Sequence, residues 1–104
     1  MHKTAADLQA EILLALAHPN RIRILEELRE GVRCNCEIAP ALKLEQSNLS
    51  RHLKILLRAG VLISWKEGSR VNFKVADQRI FKTLDLVADL ARRDVEKRAE
   101  ALAV

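Results

Sequence analysis

The chain has 104 residues, 49% of them hydrophobic and 31% charged, which bounds it to one modest folded core and excludes a disordered chain. No apolar run approaches the roughly 20 residues of a membrane span, and the N-terminal stretch MHKTAADLQAEILLALA carries acidic residues unlike a secretory leader, so the expected location is the cytoplasm, with no membrane partner. The net charge of +4 is a modest basic excess, but from Gln46 to Lys74 the cations Arg51, Lys54, Arg58, Lys66, Arg70 and Lys74 face a single acid, Glu67, a local field suited to a polyanion.

Thr4 or Asp7 can cap a first helix over about 5–17, with Leu8, Ile12, Leu13 and Leu16 as its stripe. Pro19 suits the first turn of a second helix, where its missing N–H costs nothing; Ile22, Ile24, Leu25 and Leu28 supply the stripe and Gly31 the stop. A third, short helix falls within Cys34 to Leu42, and Lys43-Leu44-Glu45 forms the turn into a fourth, over about 46–58. In that fourth helix Leu49, Leu53, Leu56 and Leu57 recur at helical spacing, while Gln46, Asn48, Ser50, Arg51, His52, Lys54 and Arg58 crowd the other faces. Gly60, just past Arg58, is the C-terminal signal.

Beyond Gly60 the period changes to two. Val61, Ile63 and Trp65 alternate with Leu62, Ser64 and Lys66, and Val71, Phe73 and Val75 alternate with Asn72, Lys74 and Ala76, on either side of Glu67-Gly68-Ser69-Arg70. Two short strands around a Gly-containing turn make a β-hairpin over about 61–75, with Lys66, Ser69 and Arg70 at its tip. A final helix over about 78–98 follows through Ile80, Phe81, Leu84, Val87, Ala88, Ala91 and Val95, with Arg92, Arg93, Lys97 and Arg98 toward its C-terminal end, where cations favour the dipole.

Helix, helix, helix-turn-helix, hairpin, helix is a winged helix-turn-helix, a mainly α chain (α-α-α-α-β-β-α) forming one domain over 1–104. The first and last helices have no evident place in the helix-turn-helix core, and both carry Ala-rich apolar stripes. They are expected to pair across a two-fold axis, so that a homodimer presents two recognition helices to the half-sites of a palindrome in double-stranded DNA. An enzyme is not expected: the sequence has no Gly-rich phosphate loop, and its Asp, Glu and His do not gather as a catalytic set.

From His18 to Ala76 the chain resembles the ArsR/SmtB family of metal-responsive transcriptional repressors. The residues that carry the likeness are HPNRIRIL at 18 to 25, CNCEI at 34 to 38, LEQSNLSRHLKILLRAGVL at 44 to 62 and WKEGSRVNFKV at 65 to 75. The resemblance implies operator contacts from the helix beginning at Gln46, through Gln46, Ser47, Asn48, Ser50 and Arg51, then His52 and Lys54. These residue types suit base edges and phosphates in a major groove. Lys66, Ser69 and Arg70 on the wing would meet the backbone or an adjacent minor groove. Where the family often has Ser and Pro, this chain has Glu45 and Ser47; Glu45 either tunes sequence choice or caps the helix start.

Cys34 and Cys36 are the only cysteines. In a cytosolic chain such a pair reads as a thiolate ligand or a redox site, and the spacing disfavours an unstrained disulfide between them. The resemblance places them where arsenic, cadmium and lead sensors bind their inducer. Soft thiolates select As(III) or Sb(III), with Cd(II) or Pb(II) as alternatives, and no cofactor is required for DNA binding itself. Residues two apart on a regular helix point about 200° from one another, so closing both thiolates on one ion implies local unwinding, which Pro40 makes easier. Some family members carry a third Cys at the position of Ala39; here a third ligand is exogenous or comes from His2 or His18. The last helix holds Asp85, Asp89 and Asp94 but no His, so a zinc site there is not expected. Two other readings stay open: oxidative sensing, and ordinary packing of two small residues.

Overall fold

Thr4 opens α1 (Ala5–Leu16): its hydroxyl accepts the Asp7 N–H at 3.1 Å while the Asp7 carboxylate accepts the Thr4 N–H at 2.9 Å. This reciprocal box satisfies two orphan amides and holds the Asp7 carboxyl below its usual range. The structure, a computed structural model, describes residues 2–103. His18 caps α2 (Pro19–Glu27), its Nδ1 accepting the Asn20 N–H at 3.0 Å, with Pro19 in the first turn as expected. The chain then leaves a turn at Gly31, whose φ of 134° suits glycine, and enters β1 (Arg33–Cys34) and α3 (Asn35–Leu42). Lys43 closes α3 in the left-handed region, and α4 (Gln46–Arg58) begins three residues later. Glu45 occupies the N-cap position of α4, but its side chain makes no capping bond.

The hairpin consists of β2 (Leu62–Glu67) and β3 (Arg70–Val75), and α5 (Arg79–Ala103) completes the chain. The sheet is antiparallel with order β1-β3-β2, so the short β1 lies against the wing, Cys34 opposite Asn72. Sequence periodicity does not reveal a two-residue strand, because it is defined by a distant partner. The alternation also shifts by one at the start of β2. Leu62 pairs with Val75 and both are buried, while Ile63 pairs with Lys74 and is exposed. Val61 is buried from the bend that precedes the ladder, so two neighbouring residues point inward and strict period two is lost.

The core gathers Ile24, Leu25 and Leu28 of the α2 region, Ile38 and Leu42 of α3, Leu49, Leu53 and Leu56 of α4, Leu62, Phe73 and Val75 of the sheet, and Phe81 and Leu84 of α5. Each such aliphatic side chain contributes about 1.5–3 kcal/mol by leaving water, and together they fix α4 against the rest. Arg29 ties α2 to α5, its guanidinium 2.8 Å from Glu26, 2.9 Å from Asp85 and stacked 4.9 Å above the Phe81 ring. At the start of α5, Asp77 accepts the Arg79 N–H at 2.9 Å, and Arg79 beside it holds the Asp77 carboxyl down at about 2.

The outer helices turn much of their apolar surface outward. Leu8, Ile12, Leu13 and Leu14 on α1, and Leu86, Val87, Leu90 and Val95 on α5, are 42% to 69% exposed. The 25 residues of α5 run beyond the expected end at 98, over about 37 Å. Its last turn holds no basic residue; Arg92 and Arg98 pair instead with Asp89 and Asp94 one turn back, in place of the expected dipole interaction. Among the described residues no helix is long and apolar enough to cross a membrane.

Candidate nucleic-acid interface and cysteine site

The surface of α4 follows from its stripe. Leu49, Leu53 and Leu56 are buried, which turns Gln46, Ser47, Ser50, Arg51, Lys54 and Arg58 to solvent and leaves Asn48 half-buried. Arg51 donates to Asn48 Oδ1 at 3.3 Å, so two of the expected base-reading groups support one another. The face offers donors and acceptors at its N-terminal end and cations further along, with no acid between Gln46 and Arg58.

His52 departs from the expected set. It is 8% exposed, because it lies three residues after Leu49 and four before Leu56 and so falls inside the apolar stripe rather than opposite it. Its ring stands 4.5 Å from that of His18, and its Nδ1 accepts a bond from Arg21 Nη1 at 3.1 Å. Arg21 also donates to the Ala15 carbonyl at 2.7 Å, which joins the end of α1, the start of α2 and the middle of α4. Burial pushes the His52 pKa down, and the charges of His18, Arg21 and Arg51 act in the same direction. His52 is therefore a buried anchor of α4, set apart from the exposed groups beside it. The i,i+3 and i,i+4 spacing to the leucines was the available signal.

The cysteines meet at the start of α3. Their sulfurs are joined as a disulfide, with the Cα atoms 5.2 Å apart. The expectation that a regular helix must unwind to bring the sulfurs together does not hold, because the two cysteines do not both lie within the helix. Cys34 is the last residue of β1 and the N-cap of α3, with φ −86° and ψ 162°. Its backbone is extended, so the 200° separation of helical residues does not apply. Cys34 is fully buried and Cys36 exposed. Glu37 accepts the Cys34 N–H at 3.1 Å, and Pro40, inside α3, lacks the N–H that would bond to the Cys36 carbonyl.

Among the described residues no group of three or more His, Cys, Asp and Glu side chains is placed to hold a metal ion. His18, considered as a third ligand, has its Nδ1 engaged by the α2 cap.

The wing carries Lys66, Ser69 and Arg70 at its exposed end, with Gly68 turning the chain at φ 61°. Lys66 and Ser69 lie at the tip as expected. Arg70 does something the sequence did not announce: its Nη2 donates to Cys34 Sγ at 3.4 Å and to Cys36 Sγ at 3.8 Å, and lies 3.6 Å from Glu37 Oε1. A cleft of about 200 Å³ lined by Asn35, Ser50, Lys54 and Val71, among others, joins the cysteine loop, the wing base and the exposed face of α4.

A helix-turn-helix followed by a wing, with long helices at both ends of the chain, defines a winged helix-turn-helix regulator. The chain belongs to the arsR family of bacterial regulatory proteins, whose family profile matches residues 18–64. It is 43% identical over 83 residues to the HTH-type transcriptional repressor SmtB of Mycobacterium tuberculosis, a match covering 79% of this chain but only 62% of that relative. The crystal structure of M. tuberculosis Rv0081 superposes with a TM-score of 0.81 at 35% identity, covering 94% of this chain and 99% of that one. The solution structure of the homodimeric winged helix-turn-helix DNA-binding domain Mb0332 from Mycobacterium bovis gives 0.78 at 28% identity, covering 88% and 85%. The family and these relatives are transcriptional regulators rather than enzymes.

Proposed function

We propose that this chain is a cytoplasmic, homodimeric transcriptional repressor that binds a palindromic operator and releases it when a thiophilic metal or metalloid, As(III) or Sb(III) ahead of Cd(II) or Pb(II), binds reduced Cys34 and Cys36. The domain spans residues 1–104, with α4 as reader, the hairpin as wing, and α1 and α5 as the dimerising helices. Gln46, Ser47, Asn48, Ser50, Arg51 and Lys54 read or position the duplex in the major groove, and Lys66, Ser69 and Arg70 contact its backbone or minor groove. The observation that carries the reading is the meeting of both sulfurs at the N-terminus of α3, against the wing and on the helix that leads through a short turn into the reader. An ion that binds the free and DNA-bound forms unequally must change operator affinity by the same factor.

The test is a titration of labelled operator with reduced protein at fixed salt, adding As(III), Sb(III), Cd(II), Pb(II) and Zn(II) in turn. The expected result is release by the first four and not by Zn(II). Release of the Cys34→Ser/Cys36→Ser variant to the same extent as wild type defeats the reading.

The joined sulfurs favour a second reading, in which the signal is oxidative. Two thiols and one peroxide give the disulfide and two molecules of water, the electron pair passing from sulfur to peroxide oxygen. Release by peroxide or polysulfide with no response to metalloid selects this alternative.

A further inference from the structure

Ala15, near the end of α1, carries a carbonyl whose ordinary helical donor would be the N–H of residue 19, and Pro19 has none. The last turn of α1 also holds no basic residue to meet its orphan carbonyls. Arg21, from the first turn of α2, takes that place: its Nε donates to the Ala15 carbonyl at 2.7 Å and its Nη2 to the Leu14 carbonyl at 3.4 Å. The remaining nitrogen, Nη1, donates to His52 Nδ1 in the middle of α4 at 3.1 Å. All three nitrogens of one planar group are spent, two on the last turn of α1 and one on α4.

Apolar packing holds α1 at one end. Its buried residues are Ala15 and Leu16, and a cleft of about 420 Å³, lined by Glu11, Leu14, Ile55 and Arg58 among others, separates its body from the C-terminal end of α4. A helix gripped at one end pivots there unless directional bonds fix its angle, and the rigid fork of a guanidinium supplies such bonds. We propose that Arg21 is a positioning residue for operator binding: through His52 it sets the angle between α1 and α4, and so, in a dimer joined through α1 and α5, the separation and tilt of the two reader helices. This rests on the reading of α1 as a dimerising helix and α4 as the reader. A guanidinium only donates, so the tie lasts while His52 Nδ1 keeps its lone pair. The groups that face His52 are His18 at the junction of α1 and α2, Arg21 of α2 and Arg51 of α4 itself. Each is a cation or becomes one in acid, so a proton on His52 breaks the tie and meets repulsion in place of a counterion.

The experiment uses the full chain and a palindromic duplex selected by the wild-type protein from a randomised pool, with its single half-site and with palindromes whose spacer is one or two base pairs longer or shorter. Affinities are read by fluorescence anisotropy at fixed salt, beside sedimentation and thermal melting. Wild type is expected to show a sharp optimum in spacer length. Arg21→Ala is expected to stay dimeric, to bind the isolated half-site as wild type does, and to lose about tenfold on the selected palindrome, with its preference among spacers flattened. Arg21→Lys, a point charge that cannot reach three acceptors at once, falls between. His52→Gln keeps an acceptor for Arg21 that does not titrate. Its spacer optimum is expected to persist from about pH 7 to about pH 5, while that of wild type flattens over the same range.

Equal loss on half-site and palindrome in Arg21→Ala, or a spacer optimum as sharp as in wild type, overturns the proposal and leaves α4 as the reader. Should Arg21→Ala fail to fold, the pH series decides: a wild-type optimum that keeps its shape in acid, or one that flattens equally in His52→Gln, overturns it. Wild-type protein that sediments at the mass of one chain, or binds the palindrome no more tightly than the half-site, overturns the dimeric reading and this proposal with it.

Discussion

Arg51 and His52 are adjacent on α4 and meet different media. The first is exposed and bonded to Asn48; the second is buried against His18 and accepts a bond from Arg21. Burial first, and then neighbouring positive charge, lowers the His52 pKa from its ordinary 6.5. The unfolded chain therefore takes up the proton before the folded one does. Stability is unaffected above about pH 6.5 and falls as pH drops through the folded value, since the unfolded state binds more protons in that window. The expected outcome is a thermal midpoint that declines between pH 7 and pH 5.5 in wild type and declines less in His52→Gln, whose amide oxygen keeps an acceptor for Arg21. Equal pH dependence in both proteins, followed by circular dichroism, removes His52 as the cause. The same residue shows where reading a helix by side-chain chemistry misleads, because histidine is polar enough to be grouped with the surface and small enough to pack inside.

At the scale of elements, α4 concentrates the proposed DNA-reading surface on the side opposite Leu49, Leu53 and Leu56. Arg51→Ala is expected to weaken operator binding by about tenfold, within the roughly 1–3 kcal/mol of a good base or phosphate contact, with little change in melting temperature because the side chain packs against no core. An unchanged operator affinity across the salt series takes Arg51 off the contact surface. The bounds of this helix were legible in full from leucine spacing and Gly60, as were the cap of α1, the Pro19 start of α2 and the turn residues of the wing. What was not legible depends on contacts distant in sequence. The strand β1 exists because Arg33 and Cys34 pair with Phe73 and Asn72. That pairing ends the extended segment at Cys34 and lets the two sulfurs meet, and it brings Arg70 onto them. Local periodicity carries no information about any of the three.

For the whole molecule, the unspent apolar surface is on α1 and α5, where Leu86 and Leu90 are 68% and 67% exposed. Such area on an 11.8 kDa chain is the mark of a surface meant to be covered. Leu90→Glu is expected to shift the sedimenting species from twice the chain mass to the chain mass, and to weaken binding to a two-half-site operator by roughly 10²-fold, the loss of the second, linked contact. A variant that stays dimeric places the two-fold contact elsewhere. Under the proposed function, the reduced cysteine pair also filters what it detects by valence. Cys36 is open to solvent while Cys34 is enclosed behind it, so an incoming reagent forms its first bond at the outer sulfur and must still have bonding capacity left to reach the inner one. Reagents able to make only one bond stop at Cys36 and leave the enclosed side untouched. Under that reading, the unequal shelter of two sulfurs makes the protein a counter of bonds, selective for agents that can take two.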